Sequence, residues 1–124
     1  MTSLTIRSYL LLLSFEWHIV RRNFQKVYKR VQAHAVRPLL RQDVSPELSC
    51  RAVNVASALY FKEVQCLQRS ATLVCLLRDC GIPASLVLGA QRLPFCGHAW
   101  VELGGQAVND NPSALEKYDI LDRC

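Results

Sequence analysis

The sequence predicts an α+β domain in which N-terminal helices pack on a small antiparallel sheet. Three observations carry that prediction. Apolar residues recur at helical spacing up to Gly81. Gly81 and Pro83 then stop the helical pattern, and the segments beyond them are short and apolar, or alternating, as strands are. Leu103-Gly104-Gly105 lies between two such segments as a hairpin connection. Helices first and strands last is an α+β order. The 124 residues amount to one domain, and at 51% hydrophobic and 20% charged the chain is globular rather than disordered.

Residues 4 to 34 read as one long or broken helix, apolar early and basic late. Its apolar run, Tyr9 to Leu13 extended by Phe15, Trp17, Ile19 and Val20, is interrupted by Glu16 and His18. That run is far shorter than the roughly 20 residues needed to span a bilayer. The basic cluster Arg21, Arg22, Lys26, Lys29 and Arg30 follows it, whereas a signal peptide carries its charge ahead of its apolar core. The segment is expected to dock on the domain; contact with a membrane surface or a partner is the alternative. Arg37-Pro38 and Asp43 to Pro46 read as linker.

Ser45-Pro46-Glu47 is a helix start, with serine as N-cap, proline in the first turn and an acid near the positive helix end. Leu48, Ala52, Val55, Ala56 and Leu59 continue that helix, which fades near Phe61-Lys62-Glu63. A further helix begins around Gln65-Cys66, with Leu67, Ser70, Ala71, Val74 and Leu77 on its apolar or small face. Ala84 to Gly89 reads as a buried strand and Arg92-Leu93-Pro94 as a turn or loop. His98 to Glu102 alternates like a strand, Gln106 to Asp110 returns, and Tyr118 to Leu121 supplies a last short strand.

The net charge of +5 comes from scattered residues outside one segment, and no aromatic-basic motif accompanies it, so nucleic acid is not an expected partner. The six cysteines, at 50, 66, 75, 80, 96 and 124, include no C-x-x-C pair and no zinc-knuckle spacing. They read as mostly free thiols in a reducing, cytoplasmic setting, with no metal and no cofactor expected.

A thiol peptidase needs a thiolate, a nearby imidazole and a group that fixes the imidazole's tautomer. Cys66 begins a helix, where the positive helix end and a protonated histidine lower a thiol pKa from about 8.5. Unpaired N–H groups of the first turn also lie there, ready for an oxyanion. His98 opens the first hairpin strand and Asp110 closes the second. A three-residue loop, Leu103 to Gly105, would put His98 opposite Asp110 on one face. A two-residue Gly104-Gly105 turn would send them to opposite faces, so the catalytic reading expects the odd loop. By spacing alone, structural and catalytic readings of Cys66 and His98 both stay open.

Three stretches read together narrow the choice: Cys66 to Ser70, Leu76 to Ala84, and His98 to Glu102 with Val108-Asn109-Asp110. Together they resemble the transglutaminase-like leader peptidases of lasso peptide biosynthesis, over about residues 48 to 123. The resemblance implies a transglutaminase-like (papain-like) cysteine protease fold for residues 46–124, behind a helical segment 1–45 that packs on the core or a partner. It implies a catalytic triad of Cys66, His98 and Asp110. It further implies removal of the leader from a ribosomally made precursor peptide, before an ATP-dependent macrolactam synthetase closes the ring. With only about 45 residues ahead of the peptidase core, a separate leader-recognition protein of winged-helix type is expected to deliver the precursor.

The oxyanion candidates are the Cys66 backbone N–H first, then Gln65 and Tyr60, each also readable as a solvated or packing residue. Trp100, Arg69 and Ser70 are candidates for the substrate cleft, with core packing or helix orientation as their alternatives. His18 and His34 read as surface or packing residues. Cys96 reads as a loop thiol without a helix N-terminus. Two rival functions use the same residues differently: a transglutaminase-like acyltransferase with an amine in place of water, and a noncatalytic peptide-binding module.

Overall fold

The computed structural model describes residues 2–38, 44–92 and 95–124. Along the chain lie α1 (Thr2–Val20), α2 (Phe24–Ala33), α3 (Pro46–Leu59), α4 (Cys66–Asp79), β1 (Ser85–Arg92), β2 (Phe95–Leu103), β3 (Gln106–Ala107), α5 (Pro112–Leu115) and β4 (Asp119–Arg123). The strands pair antiparallel in the order β3-β2-β1-β4, the α+β layout that the element order predicts.

The N-terminal helix is broken. Arg22 takes φ 54°, a left-handed conformation that ends α1, and the Asn23 side chain accepts the Lys26 N–H to start α2. The chain then folds back, so that Arg30 lies 4.1 Å above the Phe15 ring and donates to the Ser14 carbonyl at 2.8 Å. Leu4, Phe15 and Ile19 of α1 and Val27 and Val31 of α2 share one buried cluster with Val53, Leu73 and Leu76. The first two helices therefore complete the same core as the rest of the chain.

Helix α3 starts as its sequence predicts, with Ser45 Oγ accepting the Leu48 N–H at 3.1 Å. The expected linker beginning at Asp43 falls partly outside the described residues. Helix α4 is the centre of the molecule, buried without interruption from Ser70 to Arg78 and packed by α1, α2, α3 and the sheet. The expected single apolar face is thus too narrow an account of it. Its C-terminus closes on Gly81 at φ 83°, with Ile82 N–H bonded to Leu77 O at 2.9 Å and Gly81 N–H to Arg78 O at 3.0 Å. The buried Arg78 guanidinium donates to the carbonyls of Val31, His34 and Ala84, which locks the end of α2 against α4 and the start of β1.

Strands β1 and β2 pair from Ser85↔Glu102 to Arg92↔Phe95, so both run longer than expected, and His98 sits within β2 rather than at its start. Cys96 accordingly lies in β2, opposite Gln91, and not in a loop. The turn expected at Arg92 to Pro94 loses Arg92 to β1; Leu93 and Pro94 are outside the described residues. Leu86, Ala99 and Val101 face the helices, while Val87, Trp100 and Leu115 form a smaller cluster on the other face. The hairpin corrects the expected loop: Leu103 pairs with Gln106 across a two-residue Gly104-Gly105 turn. Their φ values of 58° and 82° suit a type I′ turn, whose twist matches the strands.

Candidate active site

A cleft of about 570 Å³ opens where the N-terminus of α4 meets the sheet. Gln65, Cys66 and Leu67 line it from α4, His98 with Gly97 and Ala99 from β2, and Leu88 and Gly89 from β1. Phe24, Gln25 and Tyr28 of α2 and Asp122 of β4 complete the wall.

Cys66 is a free, half-buried thiol on the first residue of α4. Gln65, the residue before the helix, makes no side-chain capping bond, so its amide does not satisfy the first-turn N–H groups. The thiol lines the cleft from the helix end that carries these donors. Burial pushes the thiols of Cys50 and Cys124 up and that of Cys75 up to about 12, which favours their protonated forms.

His98 Nε2 and Asp110 Oδ2 are 2.6 Å apart. The other carboxylate oxygen of Asp110 accepts the Asn111 N–H at 2.9 Å, which fixes the rotamer. With Nε2 engaged by the carboxylate, Nδ1 is the ring nitrogen left for other work. No hydrogen bond joins His98 to Cys66 among the described residues; both line the one cleft. The imidazole is held by ring contacts, 5.2 Å from Tyr118 and 5.9 Å from Trp100 between centroids.

The contact between His98 and Asp110 forms despite the register that should forbid it. Pairing holds as far as the bond from Val108 N–H to Val101 O, at 3.0 Å. The next bond is made by a side chain: Asn109 Oδ1 accepts the Val101 N–H at 2.9 Å. The side chain stands in for a backbone carbonyl, and β3 is cut short at Ala107. Freed from the ladder, the chain brings Asp110 to His98. Asn109 Nδ2 also donates to Ser70 Oγ at 3.1 Å, and Ser70 Oγ donates to Ala99 O at 3.1 Å. Helix α4, strand β2 and the Asp110 segment are thereby tied at one point.

The remaining sequence candidates divide. Gln65 lines the cleft. Ser70 is 1% exposed and holds the Asn109 bridge, so it is a positioning residue and not part of the cleft wall. Trp100 is buried behind His98 and lines a second depression on the outer face of the sheet. Arg69 is half-buried and does not line the cleft. Tyr60 is turned to α1, its hydroxyl donating to Glu16 at 2.8 Å beside Gln68 and Lys62, so it is absent from the cleft. His34 pairs with Asp79 at 2.7 Å, and His18 is half-buried on α1; both serve packing.

Asn109, Gly89 and Tyr118 are contributors that sequence reasoning missed. Asn109 stands next to Asp110 in one of the three signature stretches, which is the one signal that could have found it. A Cβ on Gly89 would lie 2.7 Å from two Trp100 ring atoms and 3.1 Å from Tyr118 Cβ, so glycine is required for the stack behind His98.

The family model of the transglutaminase-like superfamily matches residues 10–123. A curated relative, the microcin J25-processing protein McjB of Escherichia coli, is 41% identical over 56 residues. That match covers 45% of this chain and 27% of the relative's length. No solved structure matches the chain.

Proposed function

Because the chain belongs to the transglutaminase-like superfamily, we propose that it is a cysteine peptidase that removes the leader from a ribosomally made lasso precursor. Cys66 is its nucleophile, His98 its acid and base, and Asp110 the group that orients the imidazole. The observation that carries this reading is the 2.6 Å contact of His98 with Asp110, at the rim of a cleft that also holds a helix-first thiol. The relative's name, a microcin-processing protein, supports a peptide as substrate. A peptidase and an acyltransferase would share this triad, and the two differ only in the final acceptor.

In the proposed mechanism the Cys66 sulfur attacks the carbonyl carbon at the leader–core junction after giving its proton to His98 Nδ1. The oxyanion is held by the Cys66 N–H, with the uncapped Gln65 amide as a second donor. The C–N bond breaks as His98 returns the proton to the departing core amine. Water, deprotonated by His98, then attacks the thioester; the C–S bond breaks and the thiol is restored. Asp110 accepts the Nε2 proton bond throughout and stabilises the imidazolium. The precursor is delivered by a separate winged-helix recognition protein, and the freed core passes to an ATP-dependent macrolactam synthetase; no cofactor enters. The test is incubation with a lasso precursor, with and without the recognition protein, followed by mass spectrometry. A free leader and an intact core are expected. An amine adduct of the leader would point to acyl transfer, and an unchanged precursor in both arms would refute the enzyme reading.

A further inference from the structure

The outward line of α1 is an unusual surface. Ile6, Leu10, Leu13, Trp17 and Val20 follow one another at alternating spacings of four and three, and each is between 41% and 61% exposed. No exposed charged residue interrupts them over the length of the helix. The inward line, Leu4, Leu12, Phe15 and Ile19, is already buried in the protein. The helix is thus apolar on two sides, and only one is covered. A solvated surface helix carries its charges on the outward side, and a contiguous exposed apolar patch of this kind marks an interaction site.

Charge identifies the occupant. Just past the end of α1, Arg21 and Arg22 are exposed, as are Lys26 and Lys29 of α2, which folds back along α1, and no ion pair is described for any of them. The lone acid of α1, Glu16, is turned aside and held by Lys62 at 2.8 Å and by Tyr60. Arg21 lies 4.3 Å over the Trp17 ring, a cation resting on an amphipathic aromatic. A second copy of this chain is a poor fit. Two copies packed antiparallel on this line would bring Arg7 of each against Arg21 of the other, and parallel packing would set like against like. A specific partner helix would be selected by paired flanking charges of both signs, and here the flanks offer cations alone. An anionic bilayer needs what this surface supplies: apolar side chains for the acyl boundary, a tryptophan at the headgroup level and unpaired cations beside it. No helix among the described residues is long and apolar enough to cross a membrane, so the contact lies in the plane of the surface.

We infer that α1 seats the protein on an anionic membrane surface through Ile6, Leu10, Leu13, Trp17 and Val20, with Arg21, Arg22, Lys26 and Lys29 contacting headgroups. Because Phe24, just beyond α1, lines the cleft with Cys66, the seated protein would hold the cleft mouth close to the bilayer. The test is co-sedimentation of the full chain with vesicles of phosphatidylcholine alone or with about a third phosphatidylglycerol. Binding to the mixed vesicles is expected to be at least ~10-fold stronger and to fall as salt rises. R21Q/R22Q should weaken it by roughly 25-fold, at about fivefold per cation. L10S/W17S should weaken it by at least ~10-fold in either salt. These side chains are exposed, and unchanged circular dichroism would show the fold intact. Equal sedimentation with both vesicle types would overturn the inference, as would full binding by L10S/W17S. Self-association abolished by L10S/W17S, without vesicle binding, would reassign the surface to a protein contact and also overturn it.

Discussion

Replacing Asn109 by alanine separates positioning from chemistry. The substitution removes the acceptor of the Val101 N–H, a 2.9 Å bond on a residue with no solvent exposure. A buried N–H left unsatisfied costs about 1–3 kcal/mol, and loss of the 3.1 Å bond to Ser70 adds about 0.5–1.5. For a domain of this size each kcal/mol lowers the melting temperature by roughly 3–5 °C, so a fall of roughly 5–20 °C is expected by calorimetry. The same change releases the chain that carries Asp110. A displacement of that carboxylate on the order of 1 Å should lower leader removal by about 100-fold. Asn109→Asp keeps the acceptor for Val101 but not the donor to Ser70, so it should fall between the two on both readouts. If Asn109→Ala melts within about 1 °C of the parent and cleaves at the parent's rate, the Asn109 bridge does not set the position of Asp110.

Other outcomes follow from the same geometry. Gly89→Ala must displace Trp100, which it would approach to 2.7 Å, and should cost about 1–3 kcal/mol and slow cleavage by loosening the stack on His98. Denaturation would read the first effect and a cleavage assay the second. Burial raises the Glu16 carboxyl, but bonds from Lys62, Tyr60 and Gln68 outweigh it and hold the group below its ordinary 4.5. A carboxyl lowered in the folded state contributes stability above its unfolded pKa, and that contribution is lost as pH falls through the folded value. The parent should therefore lose stability more steeply below pH ~4.5 than Glu16→Gln does, as denaturant midpoints across acid pH would show. In native protein an alkylating reagent should leave Cys75 unmodified, since it is buried and held at about 12, and should modify Cys66; peptide mapping would read both sites.

Much of this architecture was legible because its signals are local. Ser45 caps α3 through its own third neighbour, and Gly81 ends α4 through the chain that follows it. Cys66 at a helix start needed only the fading of helical spacing at Phe61 to Glu63 and its return at Leu67, Ser70 and Ala71. The register of the hairpin was not legible. Two glycines with positive φ favour a two-residue turn, which by backbone counting alone separates His98 from Asp110. What reunites them is a side chain replacing a carbonyl, an event with no period and no composition cue. Tyr60 misled for a related reason. Its partner Glu16 lies 44 residues away in α1, so nothing near Tyr60 betrays where the hydroxyl points. The cleft wall was hidden likewise, because Phe24, Tyr28 and Asp122 reach it from opposite ends of the chain.

The break between α1 and α2 shows the physical limit of periodicity. Apolar spacing continues through it, and a single left-handed residue, Arg22, turns the chain back on itself. That reversal carries α2 to the cleft, so a conformation at one position decides which side chains line it.

If Cys66, His98 and Asp110 work as one unit, single and combined substitutions will not be additive. Initial rates of leader removal by Cys66→Ala, His98→Ala, Asp110→Ala and the Cys66→Ala/His98→Ala pair would be measured on proteins of matched fold. Either of the first two should abolish cleavage, Asp110→Ala should retain about 10⁻⁴ of the parent rate, and the pair should be no worse than its single members. A His98→Ala protein cleaving at the parent rate would show that the three do not work as one unit.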